Sequence, residues 1–144
     1  MQTKEILARF SNHPDKLLMI LHEIQDNNPE NYITEEDIAA IAGHLNLTLA
    51  QVFGTISYYS MFSTKPRGKH IIRICRSPVC SMSGARNISE EIQKEIGKNS
   101  NFSIETCECL GNCDHAPSLL IDRQQYGDLS VEKIKGILDK HPAR

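Results

Sequence analysis

The stretch "ETCECLGNCDHAP", residues 105–117, crowds Cys107, Cys109 and Cys113 into seven positions of a chain that has only five cysteines. Just before Cys107, "FSIETC" alternates with period 2 and reads as a strand; just after Pro117, "SLLID" reads as another. The other two cysteines, Cys75 and Cys80, follow "HIIRIC", which reads as a buried strand. All five therefore fall where predicted strands give way to loops. They make two spaced pairs, Cys75-x4-Cys80 and Cys109-x3-Cys113, with Cys107 left over.

Working outward from these strands, "SGARNISEEIQKEIG" has the apolar spacing of an amphipathic helix stopped by Gly97, and "SVEKIKGILDKH" reads as a final helix. The "RQQYG" hairpin region joins the third strand to a weak fourth. The resulting order is βαββα, a small sheet flanked by helices.

Upstream of "STKPRGK", the one plausible hinge, the texture is helical throughout. "PDKLLMILHEIQ" sets Leu17, Leu18, Leu21 and Ile24 on one face, with Pro14 suited to a first helical position. Thr34 followed by Asp37 forms a capping box opening "EEDIAAIAGHL", and Thr48 caps "LAQVFGTISYYSMF". The expected architecture is α+β: a helical bundle over residues 1–66, then a sheet domain over residues 67–144.

Composition sets the chemical context. With 144 residues, 40% hydrophobic and 24% charged, the chain has the size of one or two small domains. No stretch approaches the roughly 18 apolar residues of a membrane span, and the start, "MQTKEILARF", lacks the apolar run of a secretory signal. These features predict a cytoplasmic protein, without direct membrane insertion. In that reducing setting, an odd number of clustered cysteines points to metal ligands or redox-active thiols rather than to a disulfide framework.

Thiolate sets suit zinc or iron–sulfur clusters, and residue type alone leaves both open. Structural zinc usually draws on tight C-x2-C knuckles. The wider loops here fit a two-iron cluster better, because each pair must span one iron and leave room for bridging sulfides.

At this point the chain resembles a known family. C-x4-C after a strand, then "ECLGNC" and "APSLLI", then a helix near "LSVEKI", is similar to the thioredoxin-like [2Fe–2S] ferredoxins. More closely, it resembles the small [2Fe–2S] subunit that partners the NADH-oxidising flavoprotein of respiratory complex I, and of NAD-linked hydrogenases and formate dehydrogenases. The likeness extends upstream through "LHEIQDNNPENYITEEDIAAIAGHLNLTLAQVFGTISYYSMF" and so spans nearly the whole chain.

The resemblance implies a thioredoxin-like fold for the βαββα half and a [2Fe–2S] cluster held by Cys75, Cys80, Cys109 and Cys113. It also implies an FMN-containing NADH-binding flavoprotein as partner, alongside further iron–sulfur subunits. Cys107 falls outside the ligand pattern and reads as a small, half-buried strand residue. The chain departs from many relatives in "CRSPVCSM". Pro78 supplies no N–H to a cluster sulfur, and Arg76 is a candidate for tuning the cluster, since a nearby cation favours its reduced form.

Other features are set aside. A Rieske centre needs two histidines on one iron, and only His115 lies near the cysteines. A thioredoxin dithiol needs C-x-x-C, which the chain lacks. The "YYSMF" run reads as helix packing, with a docking surface as its second use.

The rival function is a metal-sensing helix-turn-helix regulator, with a structural zinc module as a further alternative. Yet residues 48–62 hold no Lys or Arg. Residues 1–66 carry four basic residues against eight acidic ones, 4 − 8 = −4. DNA affinity rests on neutralising phosphates, so nucleic acid is excluded as a partner. No glycine-rich phosphate loop follows a strand, so NADH and FMN belong on the partner. The chain is read as an electron-transfer subunit, not an enzyme on its own.

Overall fold

A computed structural model of the chain describes residues 3–141, and the fold divides into two units, Met1–Arg67 and Gly68–Arg144. Each is built around a hydrophobic core of its own residues.

The first unit is all helical: α1 (Thr3–Leu7), a 3₁₀ turn (Pro14–Lys16), α2 (Leu17–Asn27), α3 (Glu35–Leu45) and α4 (Leu49–Tyr58). Pro14 opens the 3₁₀ turn that leads into α2, where its missing N–H costs nothing. Leu21 and Ile24 are buried as the period requires, but Leu18 is exposed and Ile20 takes the fully buried place. The apolar face of α2 is thus turned away from the Leu17–Leu18 stripe expected from spacing.

Both predicted caps are present. The Thr34 hydroxyl accepts the Asp37 N–H at 3.1 Å while the Asp37 carboxylate accepts the Thr34 N–H at 3.0 Å. Thr48 and Gln51 repeat the exchange at the start of α4, with distances of 3.2 and 2.9 Å. Between them Asn46 takes the left-handed conformation, φ 54°, that ends α3. The chain direction changes by 118° from α3 to α4. No single helix among the described residues is long and apolar enough to cross a membrane.

Helix α4 stops at Tyr58, four residues before the end of the "YYSMF" run. Gln25, buried in α2, explains the early stop. Its amide donates to the Met61 carbonyl and accepts the Ser63 N–H, both at 2.9 Å, which draws the chain back onto the core. Phe62 is buried there against His22, ring centroids 4.8 Å apart. Tyr58 is left 81% exposed.

The second unit holds β1 (His70–Cys75), two helices α5 (Pro78–Met82) and α6 (Ala85–Ile96), β2 (Phe102–Cys107), β3 (Leu119–Ile121), β4 (Gln124–Tyr126) and α7 (Val131–Leu138). The sheet order is β2-β1-β3-β4, with β1 parallel to β2 and antiparallel to β3. The weak fourth strand lies inside "RQQYG", so the hairpin turn falls one step earlier, at Asp122 and Arg123. Ile72 and Ile74 of β1 share one core with Ile88, Ile92 and Ile96 of α6 and Ile134 and Ile137 of α7. Gly97 closes α6 at positive φ, the role expected of it.

Candidate metal centre

The sheet register decides where the cysteines go. β1 and β2 run parallel from His70↔Phe102 to Cys75↔Cys107, so the loops after both strands start from adjacent points at one sheet end. The Arg76 N–H donates to the Cys107 carbonyl at 3.0 Å, extending the pairing one step beyond the strands. Parallel neighbours therefore bring the two cysteine loops together across a long stretch of sequence.

The first loop is not open. Pro78 starts the short helix α5, and Cys80 within it is buried together with Cys75 and Ala85. Pro78 thus stands at a helix N-terminus, where its lack of an N–H is harmless. Both thiols meet serine hydroxyls: Cys75 Sγ lies 3.2 Å from Ser77 Oγ, and Cys80 Sγ 3.6 Å from Ser118 Oγ. Burial pushes the Cys75 thiol up, yet the Ser77 hydroxyl and N–H, Cys80 and the Leu110 N–H outweigh it and hold the thiol below its ordinary range. Hydrogen bonds to a thiolate favour the charged form.

The second loop stands in solvent. Cys109 and Cys113 are exposed, with sulfurs 3.6 Å apart. Two sulfurs on one tetrahedral metal, with bonds of about 2.3 Å, lie about 3.7 Å apart, so this pair already has the spacing of co-ligands. The Gly111 N–H donates to Cys109 Sγ at 3.3 Å, from a backbone at φ 71° that suits glycine. The Cys113 thiol is pushed up, first by its hydrogen bond to Cys109 and the charge there, then by burial and by the Cys80 and Cys75 charges. Two thiol pairs close enough for Cys75 and Cys80 to act electrostatically on Cys113 are a donor set suited to a cationic, thiophilic centre.

Cys107 stands apart from this set. It is half-buried at the end of β2, and its thiol is pushed up to about 11 by burial and by the Cys75 charge. Such a thiol stays protonated and is a poor ligand.

Arg76 points into solvent and is engaged by Glu108, whose carboxylate accepts from its guanidinium at 2.6 and 2.9 Å. The cation in the first cysteine loop is thus matched by an anion beside the second. His115 is exposed and paired with Asp128 at 2.8 Å and Asp114 at 3.5 Å, which raise its pKa; it is a solvated loop residue.

Sequence reasoning missed Ser77, Ser118 and Gly127. A Cβ at Gly127 would stand 2.6 Å from the Asn112 amide and 2.8 Å from the His115 carbonyl, so glycine lets the chain after β4 approach the second cysteine loop. Serines two residues after a cysteine or just before a strand are common, and nothing in the spacing marks them.

In the helical unit, α4 presents no basic residue, and its exposed side carries Leu49, Phe53 and Tyr58. Leu49 and Phe53 also line a groove with Ile33 and Ile38. That groove is largely apolar, and its one lysine, Lys65, is accompanied by Glu35, far short of the basic cluster a phosphate backbone requires.

The chain matches the family model for thioredoxin-like [2Fe–2S] ferredoxins over residues 3–142. It is 30% identical to HndA, a subunit of the NADP-reducing hydrogenase of Solidesulfovibrio fructosivorans, over 96% of this chain and 85% of that one. With a subunit of the NADH-quinone oxidoreductase of Pseudomonas aeruginosa it shares 33% identity over 76% of this chain and 70% of the relative. The fold superposes with TM-score 0.74 on the crystal structure of an air-oxidized NAD+-reducing [NiFe]-hydrogenase. That match has 18% identity and covers 87% of this chain but 22% of the hydrogenase chain.

Proposed function

Because the chain belongs to the thioredoxin-like [2Fe–2S] ferredoxin family, we propose that it is the electron-transfer subunit of an NADH-oxidising or NAD-reducing complex, seated beside the FMN of a flavoprotein partner. The observation that carries the reading is the convergence of two thiol pairs at the ends of adjacent parallel strands, one pair buried and one exposed. A [2Fe–2S] cluster supplies one-electron chemistry. Cys75 and Cys80 would hold one iron, and Cys109 and Cys113 the other.

The residues around the thiols divide the work. Ser77, Leu110 and Gly111 aim donors at sulfur, which stabilises thiolate charge. Burial of Cys75 and Cys80 excludes water from one side, while exposure of Cys109 and Cys113 opens the other to a partner. In the first cysteine loop Met82 is 89% exposed and Val79 44%, apolar groups suited to a contact surface. The chain has no Gly-x-Gly-x-x-Gly loop, so NADH and FMN are assigned to the partner flavoprotein and the subunit is non-catalytic by itself. Further iron–sulfur subunits and a cytoplasmic setting complete this reading.

The test is metal content. Anaerobically prepared protein is expected to contain two irons and two acid-labile sulfides per chain, with a rhombic paramagnetic signal only after reduction; stoichiometric zinc without sulfide would overturn the reading. A finer measurement addresses the Arg76–Glu108 pair. In a water-like dielectric a unit charge acting across a separation on the order of 10 Å would be worth about 0.4 kcal/mol, on the order of 20 mV for one electron. Glu108→Gln is expected to raise the midpoint potential by about that amount and Arg76→Gln to lower it, measured by redox titration. Shifts of the same sign in both variants would show that charge is not the cause.

A further inference from the structure

We propose that His70, Asp122 and His141 form a second metal site, for a divalent transition-metal ion of the zinc class, at the opposite end of β1 from the cysteines. The three residues are distant in sequence. His70 opens β1, Asp122 is the first residue of the β3–β4 turn, and His141 follows α7. The β1–β3 register Ile72↔Ile121 brings Asp122 beside the start of β1.

Asp122 is fixed there by backbone bonds in both directions. Its N–H donates to the Ile71 carbonyl and its Oδ1 accepts the Ile71 N–H, each at 2.9 Å. Its φ is 53°, a left-handed conformation that residues other than glycine adopt sparingly. With Oδ1 occupied, Oδ2 faces two imidazoles: His70 Nδ1 at 2.8 Å and His141 Nδ1 at 4.0 Å. One ligand atom from each of the three residues falls within 4.8 Å of the others. Zinc bonds of about 2.0–2.1 Å to nitrogen and oxygen set neighbouring ligand atoms about 3.3 Å apart, between the two distances to Oδ2. Small adjustments of the rings are enough to enclose an ion.

The surroundings suit ligation. Both histidine side chains are largely hidden, 14% and 12% exposed, while Asp122 is 39% exposed and leaves a side open for water as a fourth ligand. Tyr126 Oη lies 3.0 Å from His141 Nε2, so when Nδ1 binds a metal the Nε2–H has an acceptor in place, the role that outer partners of metal-bound histidines play. His70 Nε2 is buried and finds no hydrogen-bond partner among the described residues. A purely structural histidine normally has both nitrogens matched; here one nitrogen alone is engaged, and it is the one facing the carboxylate.

At about 3.3 Å per residue, five residues of β1 put this site roughly 16 Å from Cys75, too far to share ligands with the cysteines. The experiment adds Zn²⁺ alone to the iron-loaded protein, measures zinc per chain after dialysis and records the zinc-edge X-ray absorption. One zinc with nitrogen and oxygen neighbours at about 2.0 Å is the expected result. His141→Gln and Asp122→Asn should each weaken zinc binding by about tenfold or more, and Tyr126→Phe, which leaves all three ligands in place, by about tenfold. Cys107→Ala should bind zinc as the natural chain does. Absence of zinc uptake, sulfur neighbours at the zinc edge, or undiminished binding in both His141→Gln and Asp122→Asn would overturn the proposal.

Discussion

Replacing Cys75, Cys80 or Cys113 with serine is expected to abolish or severely deplete the visible absorbance of the iron–sulfur centre, while Cys107→Ser leaves it nearly unchanged. A hydroxyl is a weaker, harder ligand than a thiolate, and each proposed ligand would be one of only two protein ligands on its iron. For Cys75 and Cys80 the loss is compounded by burial, since neither site has water at hand to complete a coordination sphere. Cys113 is exposed, so any residual centre in Cys113→Ser should be the most labile of the three. Cys107 sits in the same neighbourhood, but its carbonyl is bound to the Arg76 N–H and burial holds its thiol in the protonated form. The measurement is visible and paramagnetic-resonance spectroscopy of anaerobically reconstituted variants. Equal damage from Cys107→Ser and Cys109→Ser would mean that the ligands have been assigned wrongly.

Why the cysteine pairs can be read from sequence, and their surroundings cannot, follows from the range over which each signal acts. Strand patterns and cysteine spacing are local, so "HIIRIC", "FSIETC" and the four spaced cysteines are visible without knowing the fold. The parallel pairing of Cys75 with Cys107 is a property of the sheet and emerges only once β1 and β2 are neighbours. The capping boxes at Thr34 and Thr48 are equally local and are present as expected. Helix α4, by contrast, ends early because of Gln25, far upstream in α2, a tertiary effect that no window on "LAQVFGTISYYSMF" contains. The same distance hides the partner of Arg76. Its charge is plain in "CRSPVC", but Glu108 lies in the other cysteine loop, and only the fold brings the two into an ion pair. His70, Asp122 and His141 escape notice for the same reason, since residues so far apart in the chain match no short ligand motif.

A chain beginning at Lys65 is expected to assemble its iron–sulfur centre with unchanged absorbance and to lose binding to the flavoprotein by about thirtyfold or more. The first half of that expectation rests on the cores: the cysteines, the sheet and helices α6 and α7 all draw their buried residues from Gly68 onward. The second half rests on what the helical unit exposes. Its buried aliphatic residues, together with the inward-turned Phe62, account for its stability. Leu49, Phe53 and Tyr58 are 58%, 52% and 81% exposed and contribute little to that core. Exposed aromatic and aliphatic groups beside a groove are the residues from which interface anchors are drawn, and losing an anchor costs about 2 kcal/mol or more, roughly thirtyfold in affinity. In the full-length chain, Phe53→Ala and Tyr58→Ala are expected to weaken binding while shifting folding stability by no more than about 0.5 kcal/mol, as exposed positions generally do. Titration against the recombinant flavoprotein, paired with thermal unfolding of each variant, separates the two effects. Undiminished binding by the truncated chain would move the docking surface to Val79, Met82 and the exposed cysteine loop, and would leave the helices a role in stability alone.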